Sequence, residues 1–439
     1  MKQIDRRTFL KNSVLGLSIL GFPNTLSSHS KFPYNKSPNF VIIFLDNAGY
    51  DDLNRKACRL IRIPNLSRLA AEGVSMNQFY TSLPFTSSSQ AALLTGRHTI
   101  RNGIVRTLLP TDEVGLPRTE KTLAELLKRK GYKTAFIGRW YLGNCPNYMP
   151  QRFGFDYDYV SLKNYETLFN QKSLIKRYTK EVVNFIKIYR NNPFFVFLTQ
   201  TIPYIPFEST KDVNNTSKKG FYNDLIEEID SNVGKILNSL MHLGLKNNTL
   251  VIFTGNKALS LLNMKDSGMT SSLTGGEKTA LEDNLREPFI ARFPGIFPEG
   301  VVNNEIGTIM DIFSTCLKSA EIDIPNDRPI DGQNLIPVLQ GKSNSKHEFI
   351  YYYWKDQLIA IRGGKYKLHF KANSKEWKWE GCEPKELYNF ETNQIEVCKF
   401  THQKLHIILR LKKEAERFKA EIAHRRENKE LVSKLLNAN

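Results

Sequence analysis

The sequence predicts an α/β protein: a large, mixed but mainly parallel sheet flanked by helices, followed by a small C-terminal antiparallel-sheet domain. Three observations carry this. "NFVIIFLDNAGYDDL" is a continuous apolar run that breaks into acidic and glycine residues, the pattern of a strand buried on both faces whose carboxyl end opens into a polar loop. Helix-then-strand units recur downstream, as a parallel sheet covered on both sides requires. Past residue 345 the texture changes to short β-rich pieces with a Gly-Gly turn.

The elements follow in order. Residues 1–30, beginning "MKQIDRRTFLKNSVLGLSILGF", pair Arg6 and Arg7 ahead of a short apolar stretch and read as a twin-arginine export signal. That apolar stretch is too short to span a bilayer comfortably. An exported protein, periplasmic or extracellular, is the expectation. Residues 38–340 hold the α/β domain: "KTLAELLKRKGYKTAFIGRWYLG" reads helix, glycine turn, strand, loop, and "NNPFFVFLTQTIPYIPF" reads strand, then proline-rich loop. An amphipathic helix in "FYNDLIEEIDSNVGKILNSLMHLGL" leads into the strand "TLVIFTGNK", and a helix at "IMDIFSTCLKSAEI" closes the domain. Residues 345–439 form the small domain, with strands in "EFIYYYWKDQLIAIRGGKYKLHF" and "ELYNFETNQ" and a charged tail helix carrying an apolar stripe through Leu405, Ile408, Leu409 and Leu411.

A chain of 439 residues with 41% hydrophobic content can bury a sizeable core. Its formal net charge of +18 either serves solubility with no specific partner or draws it toward anions: an anionic small molecule, a sulfated or phosphorylated glycan, or an acidic headgroup. Basic residues are spread along the chain with no block interleaved with aromatics, so no specific nucleic-acid partner is expected. No second run of 18 apolar residues follows the signal segment, so no further transmembrane segment is expected, and nothing sets an oligomeric state. The five cysteines lack CxxC spacing. Cys382 and Cys398 flank a short segment, and an oxidising compartment would permit one bridge between them. Trp377 and Trp379 are candidates for stacking on a sugar or for packing.

The stretch "LPFTSSSQAALLTGRHTI" has the helix-to-glycine build of an active-site element. Together with "PNFVIIFLDNAGYDDL", "FIGRWYLG", "PFFVFLTQTIPYIPF", "TLVIFTGN", "EKTALEDNLREPFIARFPG", "DGQNLIPVL" and "ELYNFETNQ", in that order, it resembles the sulfatase family of the alkaline phosphatase superfamily. The resemblance implies an alkaline phosphatase-like fold and a sulfuric-ester hydrolase ancestry. It also implies that the first residue of a Cys/Ser-x-Pro-Ser-Arg element becomes formylglycine, the nucleophile. That position is Thr86 here, with Ser88 for the proline and Gln90 for the arginine. A threonine side chain cannot be oxidised to an aldehyde.

The resemblance further implies a calcium held by two consecutive aspartates and a later Asp-Asn pair. These positions read Asp46, Asn47, Asn256 and Lys257. A hard divalent cation needs several anionic oxygens to offset its dehydration, so no cofactor is expected, and calcium only if the metal site survives. The family's Gly-Lys-Trp-His-Leu-Gly reads "GRWYLG", putting Arg139 for lysine and Tyr141 for histidine, and its Pro-His reads "PY", putting Tyr204 where a histidine protonates the leaving oxygen. Tyrosine, with a pKa of about 10, is a poor substitute near neutrality. Lys278 matches the family's sulfate-binding lysine. Gln90, Arg139, Lys257 and Lys278 are thus the candidate anion-binding residues around Thr86.

Three readings follow. The site is disused; or Thr86 to Ser89 and the surrounding cations hold a sulfate or phosphate without cleaving it; or Thr86 acts as nucleophile in a sulfuric-ester or phosphoester hydrolase, for which it needs a metal or a base, with Lys257 the candidate base.

Overall fold

The central strand β1 (Asn39–Asp46) is buried at every residue, as its sequence NFVIIFLD requires. A computed structural model describes residues 37–47, 50, 61–160, 168–202, 218–256, 285–370, 384–390, 394–397 and 404–424. Residues 1–30, expected to form an export signal, lie outside the described residues, as do Tyr204, Lys257, Lys278, Trp377, Trp379, Cys382 and Cys398.

The remaining strands of the large sheet are β2 (Val74–Tyr80), β3 (Lys133–Gly138), β4 (Tyr157–Val160), β5 (Phe194–Thr201), β6 (Thr249–Asn256), β7 (Phe289–Arg292) and β8 (Val301–Thr308). Among the described residues these eight run in the order β4-β3-β5-β1-β6-β7-β2-β8. Only β7 is antiparallel to its neighbours, β6 and β2. β2 and β8 carry polar sequences, VSMNQFY and VVNNEIGT, and their pairing is broken by an irregularity between Met76 and Gln78.

Helices cover the sheet: α1 (Pro64–Ala71), α2 (Thr86–Thr95), α3 (Leu123–Arg129), α4 (Leu168–Ile188), α5 (Lys218–His242) and α6 (Asp311–Ser319). Alternate residues of a strand face opposite sides. Val41, Ile43 and Leu45 of β1 accordingly join one core cluster with Leu174, Tyr178 and Val182 of α4 and Leu225, Ile229, Val233 and Ile236 of α5. Each such fully buried side chain contributes roughly 1.5–3 kcal/mol. A capping box fixes the start of α3: the Thr122 hydroxyl accepts from Glu125 N, and Glu125 accepts from Thr122 N.

A second, antiparallel sheet has the order β13-β12-β11-β10-β9, built from β9 (Phe349–Trp354), β10 (Gln357–Gly363), β11 (Tyr366–Phe370), β12 (Pro384–Asn389) and β13 (Gln394–Val397). The tail helix α7 (Leu405–His424) packs on it through Ile408, Leu411, Ala415, Phe418 and Ile422. Phe418 stacks on Tyr351 with ring centroids 3.7 Å apart. Leu409, expected in the apolar stripe, is instead 55% exposed, because the buried positions follow the helical repeat from 408 through 411, 415, 418 and 422. Both sheets lie within one compact unit, Lys36–Asn439. Among the described residues no helix is long and apolar enough to cross a membrane.

Candidate functional site

Strand register assembles the site. Asp46, last in β1, stands beside Thr201 at the end of β5 and Asn256 at the end of β6. In open α/β sheets ligands bind at these carboxyl ends. The first turn of α2 arrives at the same edge: Thr86 Oγ1 donates to Asp46 Oδ1 across 2.6 Å. Asn256, with its amide turned to satisfy both neighbours, donates to Asp46 Oδ1 at 2.9 Å and accepts from Thr86 N at 3.2 Å. Thr86, Asp46 and Asn256 are 2%, 1% and 0% exposed, so this triangle is sealed into the edge of the sheet.

Burial pushes the Asp46 carboxyl up to about 6, against the opposing effects of the Thr86 hydrogen bond and the Arg139 guanidinium. Arg139 therefore supplies positive charge to the single acidic group of the cradle. Its Nη1 also donates to Tyr141 Oη at 3.4 Å. Burial and the neighbouring Asp46 carboxylate push the Tyr141 hydroxyl above the usual phenol range, away from any role as an acid near neutrality.

Gln90, expected among the anion-binding groups, is placed differently. Its Nε2 donates to Arg139 O at 3.1 Å and its Oε1 accepts from Tyr141 N at 3.2 Å. Both ends of the fully buried amide are thus occupied by the loop after β3, which it ties to α2. Thr199 Oγ1 donates to the same Arg139 carbonyl at 2.9 Å. Gly138 makes this close approach feasible: at φ +124° it lies where L side chains are strained, and a Cβ there would stand 2.0 Å from Thr199 O.

The serines of the hydroxyl run also differ from the expectation that they face an anion. Ser87 Oγ accepts from Leu108 N at 2.8 Å, Ser88 Oγ donates to Ile104 O at 2.6 Å, and Ser89 Oγ lies 2.7 Å from Thr81 Oγ1. All three are fully buried. A buried hydroxyl must find a partner, and here the protein supplies each one. Gly96, with φ 66°, ends α2 where a Cβ would meet Phe313 at 2.5 Å, so the helix is seated tightly against α6.

Asn47 occupies the left-handed region, φ 68°, which asparagine tolerates. Its Nδ2 donates to Ile202 O at 2.6 Å and its main-chain N to Asn256 O at 2.9 Å. Its buried Oδ1 has no partner among the described residues. One neutral amide oxygen and one carboxylate are a thin donor set for calcium. Asp46 Oδ1 already accepts hydrogen bonds from Thr86 and Asn256, and the Arg139 guanidinium acts electrostatically on the same carboxyl, so a divalent cation would compete with both donors and with that positive charge. The described residues do not fit the ion.

The structure also seals a buried ion pair that no sequence motif indicates. Arg97 Nη1 donates to Glu120 Oε1 at 2.7 Å, with the side chains 2% and 0% exposed. The only signal was the position of Arg97 at the end of the apolar helix "AALLTGR".

Comparison with known proteins identifies the family and the fold. The family described as Sulfatase matches residues 38–322, and that described as N-sulphoglucosamine sulphohydrolase, C-terminal, matches residues 277–420. The N-acetylgalactosamine-6-sulfatase of Mus musculus is 34% identical over 407 residues, covering 83% of this chain and 76% of that protein. Among solved structures, a sulfatase from Pseudoalteromonas sp. shares the fold with a TM-score of 0.73 at 23% identity, covering 90% of this chain and 92% of that one. Another, in complex with its substrate D-glucosamine-2-N,6-O-disulfate, has a TM-score of 0.66 at 18% identity, covering 90% and 100%.

Proposed function

The chain belongs to the sulfatase family, and from that premise we propose that it is a catalytically silent member that recognises sulfated or phosphorylated saccharides without cleaving them. The observation that carries this reading is the Thr86–Asp46 hydrogen bond inside a sealed triangle with Asn256. The side chain at the nucleophile position turns into the sheet and serves as a donor to the cradle. Thr86 cannot become formylglycine, Tyr141 is held protonated, and the Arg139 guanidinium supplies positive charge to Asp46 in the role calcium would otherwise have. Export through the N-terminal segment and the absence of a resident metal belong to the same proposal.

What remains for ligand recognition is the carboxyl edge of the sheet and the family-matched lysines Lys257 and Lys278. The relatives' names supply the ligand class: sulfated amino sugars. The test is binding of 6-sulfated N-acetylgalactosamine oligosaccharides by the full chain, with Lys278→Ala as the variant. Retention that discriminates between sulfated isomers at constant salt and weakens with Lys278→Ala supports the reading; indifference to the isomer refutes it.

A second reading has one observation in its favour. A hydroxyl 2.6 Å from a carboxylate raised to about 6 has the distance of a nucleophile and its general base. Phosphoester or sulfuric-ester hydrolysis lost in Thr86→Val would establish it in place of the first.

A further inference from the structure

Away from the strand ends, α4 and α5 run side by side in the same direction, as the ion pairs Lys172–Asp224 at 2.9 Å and Lys176–Glu228 at 3.6 Å record. Between their C-terminal halves lies a cavity of about 520 Å³, inside the range of roughly 300–1,000 Å³ common for ligand pockets. Lys176, Lys180, Lys187, Lys235 and His242 line it. Glu228 offsets Lys176, and Lys235 donates to Asn232 Oδ1 at 3.0 Å. Lys180 and Lys187 are exposed and make no ion pair among the described residues.

The helix dipole alone rewards cations only in a last turn. It accounts for Lys187 and His242 but not for Lys176, Lys180 and Lys235, which lie further from the helix ends. A second observation is independent of charge. Ser239 lines the cavity, is 9% exposed, and its buried Oγ has no partner among the described residues. A buried hydroxyl left without a partner costs about 1–3 kcal/mol, so this one stands ready for a ligand oxygen. Val183 and Leu243 give the same cavity apolar walls, which strengthen a charge-assisted hydrogen bond formed inside it.

We propose that this groove is a second anion site, built for the sulfate groups of a sulfated saccharide, which pair with Lys180, Lys187 and Lys235 while one oxygen meets the Ser239 hydroxyl. It extends the proposed function to a surface separate from Thr86. After Leu243 of the groove the chain enters β6, whose eight residues run about 23 Å to Asn256 at about 3.3 Å per residue, so the groove and Thr86 are served by different ends of the sheet. A sulfated chain reaching from one to the other would be held at two points, and the formal net charge of +18 favours its approach.

The experiment measures binding of a fully sulfated heparin hexasaccharide to the full chain by calorimetry at fixed ionic strength, with thermal unfolding as a control for folding. Lys180→Gln/Lys187→Gln is expected to weaken binding about tenfold, because two charge-assisted contacts are lost. Ser239→Ala is expected to weaken it about threefold, with an unchanged salt slope and a melting temperature that does not fall. Lys413→Gln/Lys419→Gln, removing equal charge from exposed positions on α7, is expected to change it less than about twofold.

Equal weakening by the α7 pair, or no effect of Ser239→Ala, overturns the proposal. So does tighter binding to phosphatidylserine vesicles than to the hexasaccharide, or binding of inorganic sulfate as tight as that of the hexasaccharide. Loss confined to Lys278→Ala refutes the groove while leaving the function proposed for the Thr86 site intact.

Discussion

Thr86 Oγ1 donates to Asp46 Oδ1 across 2.6 Å, joining the first turn of α2 to the carboxyl end of the central strand. A hydrogen bond to a charged group contributes about 1.5–3 kcal/mol. Replacing the hydroxyl by a methyl group in Thr86→Val should therefore destabilise the protein by about 1–3 kcal/mol. Urea unfolding at pH 7.5 measures it; an unchanged midpoint would mean the contact is not formed in solution.

Asp46 also makes a pH prediction. Its carboxyl is raised from 3.8 to about 6 in the folded state, so between these values the native protein binds more protons than the unfolded chain. Stability then falls as pH rises through the window from about 4 to 6 and levels off above it, by at most about 3 kcal/mol for a two-unit shift. The difference between wild type and Asp46→Asn, followed by denaturation at successive pH values, isolates this slope. Asp46→Asn is expected to remain folded at pH 7, because its side-chain oxygen still accepts from Thr86 and Asn256 while the cost of burying a charged carboxyl disappears. A variant that unfolds at pH 7 would contradict this.

His98 works in the opposite direction. Burial, reinforced by Arg101 and opposed by Asp331, lowers its imidazole from 6.5 to about 4. The unfolded chain takes up the proton first, so the stability conferred by neutral His98 is complete above about pH 6.5 and is lost as pH falls toward 4. Its ring packs 5.2 Å from Tyr353 and 6.0 Å from Phe418, centroid to centroid, so the second sheet and α7 should loosen first in acid. Hydrogen exchange at pH 5 against pH 7 should show greater loss of protection in α7 than in β1, and uniform loss would count against it.

The Arg97–Glu120 pair is sealed, with its side chains 2% and 0% exposed. Removing one partner of a buried pair leaves the other charge uncompensated, at a cost of about 3–5 kcal/mol. Glu120→Gln is expected to lower stability by that amount with little change in the position of Thr86, measurable by calorimetric unfolding. A loss below about 1 kcal/mol, the scale of surface pairs, would show that water reaches it.

The strands around the site are legible in the sequence wherever burial on both faces leaves an unbroken apolar run, though their order in the sheet is not. NFVIIFLD, FFVFLTQT and TLVIFTGN of β1, β5 and β6 announce themselves in this way, and the residues at their ends are the site. β2 and β8 escape such a reading because partial exposure at the sheet margin admits asparagine, glutamine and glutamate. Side-chain direction is the other limit. "TSSSQ" reads as a row of free hydroxyls, yet Ser87, Ser88 and Ser89 turn toward Leu108 N, Ile104 O and Thr81, partners far enough along the chain that only tertiary folding reveals them. Gln90 is likewise a clamp on the loop at 139–141, a role that no local pattern encodes.

The most direct test is turnover. The full-length protein, purified and incubated with an aryl sulfate at neutral pH with and without added calcium, should release no phenol above the buffer rate. Calcium-stimulated release that disappears in Thr86→Val would contradict a silent site and return Thr86 to the role of nucleophile.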